Sequence, residues 1–220
     1  MKQKKEINTL TLNRETYEKG LRSLSDRDED LAGVIREFGP PPIWIREPGF
    51  ATLVLIILEQ QVSLASARAV FERLTAVVSP FTARQFIKAL DAPLKRAGIT
   101  RQKLSYCRHL SEALAIRRLD LKALHHMSDN QARYALMEIK GVGPWTADIY
   151  LLRAVRRPDI WPRGDLALAV AMQELKGLRA RPTPDESDAM SLPWRPWRAV
   201  AARILWHYYL STRSKMVEHV

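Results

Sequence analysis

The sequence predicts an all-α fold, on three observations. Apolar residues recur at helical spacing along most of the chain. Alternation of the strand kind is confined to Ile7 to Leu12 and Ile43 to Ile45. The sequence has no internal repeat, low-complexity tract or heptad seam that would point to another architecture. Taken in order, Leu31, Val34, Ile35 and Phe38 follow the i, i+3, i+4, i+7 pattern of one helix, which Gly39 and three prolines stop. After Phe50 an almost wholly apolar stretch to Leu58 predicts a helix buried on most sides. Ser63 is placed to cap the next helix, with Ala67, Val70, Phe71, Leu74 and Val78 on its buried face. Thr82 is placed to cap another, and Leu104, Cys107, Leu110 and Leu114 mark a longer one. Residues 179–196, rich in proline, read as a long connecting loop.

The composition narrows the partners. The 220 residues carry 35 Lys and Arg against 24 Asp and Glu, a formal charge of +11, which suits a polyanion and says nothing about fold. Cys107 is the only cysteine, so an intramolecular disulfide, a thiolate zinc site and a cysteine-ligated iron–sulfur cluster are all excluded. The first residues, Met-Lys-Gln-Lys-Lys-Glu, lack the apolar core of a signal peptide. The longest apolar run, Leu53 to Leu58, is too short to span a bilayer. An intracellular, membrane-free protein is expected.

The most informative segment runs from Leu136 to Ala147, Leu-Met-Glu-Ile-Lys-Gly-Val-Gly-Pro-Trp-Thr-Ala. A helical run over 133–138 meets Gly141-Val142-Gly143, and a second helix begins with Pro144 in its first turn, where a missing N–H costs nothing. Two glycines permit a tight turn and a close approach of backbone to a ligand. Amides at the start of the second helix would form an anion site suited to a DNA phosphate. Gly-Val-Gly alone also fits an ordinary helix connection. The longer pattern, in a chain this basic, resembles the helix-hairpin-helix of the DNA glycosylase superfamily.

That resemblance carries further expectations. The hairpin unit would cover residues 131–156, with Lys140, Gly141, Val142, Gly143 and Thr146 meeting DNA. The backbone carbonyls of Met137, Ile139 and Val142 would hold a sodium or potassium ion, and no cofactor would be needed for catalysis. The family places a catalytic aspartate after the hairpin, past a Gly/Pro-rich loop and at the start of the next helix, which here is Asp165 in Trp-Pro-Arg-Gly-Asp-Leu-Ala-Leu. Asp165 also reads as a helix N-cap, and the two roles are compatible. A carboxylate near a helix N-terminus is held ionised and would stabilise an oxocarbenium-like sugar or act on the attacking water; the sequence leaves both open. The bifunctional members carry a Schiff-base lysine two residues after the second glycine, where this chain has Trp145. Lys140 precedes the turn and reads as a solvent- or phosphate-facing side chain. The resemblance therefore implies a monofunctional enzyme.

Within the superfamily the chain is most similar to 3-methyladenine glycosylase II, through Ile-Ile-Leu-Glu-Gln-Gln-Val-Ser at 56–63 and Trp-Arg-Pro-Trp-Arg at 194–198. By position Trp145 and Trp206 match aromatics of that family's base pocket. Trp44 and Tyr150 are looser candidates, and Trp197 reads as core. Alkylated purines are cationic, so aromatic faces favour them. Gln61 matches the side chain that wedges into the minor groove to offset base flipping, although a glutamine at a helix end also serves as a cap. Arg153, Arg156, Arg157 and Arg163 suggest general phosphate attraction. The expectation is one domain over 1–220 made of two helical lobes, with the active cleft between them. It would act as a monomer on double-stranded DNA, in the cytoplasm or nucleoid if bacterial, releasing alkylated bases. The rival is a noncatalytic helix-hairpin-helix module in which Asp165 is only a cap.

Overall fold

The computed structural model describes residues 11–217, and the elements among them are helices and turns. Of the two strand-like stretches, residues 7–10 lie outside the described part. Ile43 to Ile45 forms no ladder, because Trp44 has φ of +46° and breaks the extended run. Clustering of contacts divides the described chain into a unit formed by 46–155 and a second formed by 11–45 and 156–217.

The first unit holds α3 (Phe50–Glu59), α4 (Leu64–Val77), α5 (Ala83–Lys88), α6 (Asp91–Arg96), α7 (Arg101–Ala115), α8 (Asp129–Met137) and α9 (Pro144–Arg153). Helix α3 sits at its centre, packed on α4, α7 and α9. Leu53, Val54, Ile56, Ile57 and Leu58 are buried, as a nearly all-apolar helix requires. Ser63 and Thr82 cap α4 and α5 through their hydroxyls. On α4 the inward face is narrower than the periodicity suggests: Ala67, Leu74 and the capping Val78 are buried, whereas Val70 and Phe71 are only partly covered. Cys107 is fully buried on α7, and burial pushes its thiol up to about 12, so it is an inert core residue.

The second unit holds α1 (Arg14–Ser25), α2 (Glu29–Phe38), α10 (Leu166–Leu175), α11 (Pro184–Ser191) and α12 (Arg198–Val217). Helix α12 packs on α1, α2 and α10, and Ala199 to Ala202, Ile204 and Leu205 are buried along it. The stretch 179–196 is not a loop. It contains α11 and a 3₁₀ turn at Leu192–Trp194. Thr183 and Glu186 make a reciprocal capping box with Pro184 in the first turn, a start signal that the surrounding prolines obscure. Asp28, at the N-cap of α2, gathers Lys176 at 2.8 Å and the Trp194 indole N–H at 2.8 Å. No helix among the described residues is long and apolar enough to cross a membrane.

Candidate DNA-processing site

In the first unit, α8 and α9 are joined by a six-residue turn, 138–143. Ser128 opens α8 with a capping box to Gln131. The Val142 amide donates to the Ile139 carbonyl at 2.9 Å, closing the turn, and the buried Val142 side chain pins it from within. Below the turn, Arg133 on α8 pairs with the buried Asp148 on α9 at 2.6 Å.

The two glycines of this turn differ. Gly141 has φ of +87°, and a Cβ there would lie 2.0 Å from Cγ of the Tyr106 ring. The position admits no side chain for reasons of backbone and of packing. Gly143 has an ordinary extended φ of −86°, and a Cβ would meet nothing within 4 Å. Nothing inside the protein demands glycine there. What it provides is bare backbone facing open space at the start of α9.

The end of α3 is fastened to this turn. The Gln60 side-chain amide donates to the Gly141 carbonyl and to the Thr146 hydroxyl, both at 2.8 Å. The Lys103 ammonium on α7 donates to the carbonyls of Leu58 (2.7 Å) and Gln60 (2.8 Å). Gln61 follows, exposed and at φ of +56°, an uncommon backbone state for glutamine. Val62 and Leu64 beyond it are also exposed.

In the second unit, Asp165 is the N-cap of α10. Its Oδ1 accepts the Leu168 amide at 3.0 Å and the Trp206 indole N–H at 3.1 Å. The carboxylate lines a cavity of about 230 Å³ with Gly164, Leu166, Arg181, Pro184 and Ser187. An oriented, partly exposed carboxylate at a helix N-terminus beside a cavity is equipped to stabilise developing positive charge.

Residues 54–196 match the family model described as HhH-GPD superfamily base excision DNA repair protein. The chain belongs to this superfamily. It is 32% identical over 108 residues to a DNA-3-methyladenine glycosylase of Bacillus subtilis, covering 49% of this chain and 36% of that one. A second Bacillus subtilis protein bearing a DNA-3-methyladenine glycosylase name is 27% identical over 80% of this chain and 64% of its own length. The chain thus spans between about a third and two thirds of these curated relatives. In structure it is similar to DNA-3-methyladenine glycosidase from Bacillus halodurans, with a TM-score of 0.73 and 27% identity over 86% of this chain and 88% of that one.

As an HhH-GPD chain, it distributes the expected site residues as follows. Lys140 is exposed on the hairpin. Thr146 is 2% exposed with its hydroxyl taken by Gln60, so its side chain braces the hairpin from inside and is not displayed to a duplex. Tyr150 is fully buried; burial pushes its phenol up to about 12, and its oxygen accepts the Gly49 amide at 3.0 Å, which fixes the start of α3. It has no ring face to offer a ligand. Trp145 is half-buried on α9 in the first unit. Trp206 is 6% exposed in the second, with its N–H on Asp165. Trp44 stands 6.5 Å from His207, edge to face. Arg157 is buried and Arg163 pairs with Asp185 and Asp188, so neither is a free phosphate attractor. No cluster of three His, Cys, Asp or Glu side chains placed to hold a metal ion occurs among the described residues. The sequence reading missed Gln60, Lys103, Tyr106 and the Trp206–Asp165 bond. Only the apolar-to-polar step at Glu59-Gln60-Gln61 signalled any of them.

Proposed function

We propose that this chain hydrolyses the N-glycosidic bond of alkylated, 3-methyladenine-type bases in double-stranded DNA, leaving an abasic site and an uncut strand. The observation that carries the reading is Asp165, held by two donors at the mouth of a cavity at the N-terminus of α10. An ionised carboxylate there stabilises the positive charge that grows on the sugar as the base departs. The hairpin amides at Gly143 seat the duplex through a phosphate without reading sequence. Gln61 fills the space left by the flipped base. Backbone carbonyls of Met137, Ile139 and Val142 would hold a hard monovalent cation that adds to the local attraction for phosphate. Aromatic faces favour a cationic base by stacking, and the rings proposed for this are Trp206 and Trp44 in the second unit and, by sequence position alone, Trp145 in the first.

Trp145 stands where a lyase needs an amine, so no covalent imine forms and strand cleavage must await another agent. The similarity to named 3-methyladenine glycosylases supports the substrate class. The test uses duplexes carrying single defined lesions. Release of 3-methyladenine or 7-methylguanine is expected to outpace hypoxanthine, with breaks appearing only after alkali. Borohydride trapping of a protein–DNA adduct would overturn the monofunctional assignment. Preference for a neutral lesion such as 8-oxoguanine would overturn the alkylation reading.

A further inference from the structure

The hydrogen bonds around Gln60 connect two features that are far apart in sequence, the turn after α3 and the hairpin between α8 and α9. Gln60 ends α3 with ψ of 122°, so the chain leaves the helix at this residue. Its carbonyl is gripped by Lys103 from α7, and its side chain reaches across to Gly141 and Thr146. The carbonyl of Gln60 and the amide of Gln61 share one rigid plane. Fixing the first therefore fixes the direction in which the chain enters Gln61, the residue with the left-handed backbone. The Gly141 carbonyl that receives Gln60 belongs to the same turn that presents the bare backbone of Gly143.

We propose that Gln60 and Lys103 are positioning residues that lock the Gln61 loop to the phosphate-binding hairpin. A duplex seated on the hairpin then meets the inserting side chain already in place, with no loop to reorganise. This rests on the DNA reading proposed above. Neither residue touches the reacting base, so both act through Gln61.

The proposal is tested with the full chain and two probes. One is an undamaged duplex, which reports phosphate contacts. The other carries 2-aminopurine at the target position, whose fluorescence rises when the base leaves the stack. Gln60→Glu keeps the shape but loses both donors, Gln60→Leu loses all polarity, and Lys103→Met frees the Gln60 carbonyl. Each is expected to cut base opening tenfold or more while duplex affinity changes less than threefold. Lys103→Arg keeps donors at the same carbonyls and is expected to restore opening. On a lesion already unpaired in a single strand, excision is expected to change less than twofold. A merely structural role would lower affinity, opening and single-strand excision together, and that parallel loss overturns the proposal, as does unchanged opening. If the wild type opens the base but never releases it, the glycosylase reading fails and the positioning roles stand.

Discussion

Asp165 carries a cap and a proposed catalytic charge on one side chain, and Asn separates them. Asn and Asp cap helices about equally well, so Asp165→Asn is expected to unfold within ~0.5 kcal/mol of the wild type. Loss of the charge is expected to cost about 10²–10³-fold in single-turnover excision; an active variant would leave Asp165 as a cap only. Trp206 needs the same separation, because its indole N–H touches the carboxylate while its ring is the one proposed to stack on the base. Trp206→Phe keeps a ring and removes the donor. It is expected to slow excision by roughly tenfold, about 1.4 kcal/mol of barrier, for cationic and neutral lesions alike. Trp206→Ala is expected to penalise cationic lesions further. The cap at Asp165 was legible because a carboxylate before Leu-Ala-Leu at a Gly/Pro break is a local pattern, while its candidacy for catalysis came from the family resemblance. Its bond to Trp206 was not legible, since 41 residues separate the two and no periodicity links them.

At the scale of the hairpin, the two glycines make opposite predictions. Gly141→Ala forces a left-handed backbone, on the order of 1–2 kcal/mol, and drives a methyl into Tyr106. Thermal unfolding is expected to drop by several degrees. Gly143→Leu meets no internal atom, so it is expected to fold normally and to weaken all duplexes alike, measured as equal loss of affinity for damaged and undamaged DNA. Loss confined to one sequence context would argue against a backbone contact. The helices around the turn were readable from the sequence because capping and periodicity are local. The braces were hidden: Gln60 to Gly141 spans 81 residues, and Tyr106 shows its purpose only once its ring lies under the turn. Helix α11 was missed for another reason. Its Thr183–Glu186 capping box sits among prolines, which punctuate the chain strongly enough to mask the cap.

At the scale of the whole molecule, the +11 charge and the packing of the second unit belong to different questions. Charge sets partner and salt dependence, whereas fold stability leans on half-buried junctions such as Asp28. Burial acts to raise its carboxyl pKa, but hydrogen bonds from Lys176, Trp194 and the Leu31 amide outweigh it and hold the group below the ordinary aspartate range. A depressed carboxylate contributes stability that is complete above its unfolded value, about 3.9, and is lost as pH falls through the folded one. Asp28→Asn is expected to cost about 1–3 kcal/mol at neutral pH and to flatten the acid limb of the unfolding profile below roughly pH 4. An unchanged acid limb would place that sensitivity elsewhere. The chain enters the first unit at Arg46 and leaves it after Val155, and close to that exit the Arg46 amide donates to the Arg153 carbonyl at 3.0 Å. The two ends of a segment of about a hundred residues therefore meet like the neck of a pouch. A stretch with adjoining ends can be exchanged for a homologous one by two neighbouring cuts, so the hairpin-bearing half of this protein is a natural cassette for recombination between relatives.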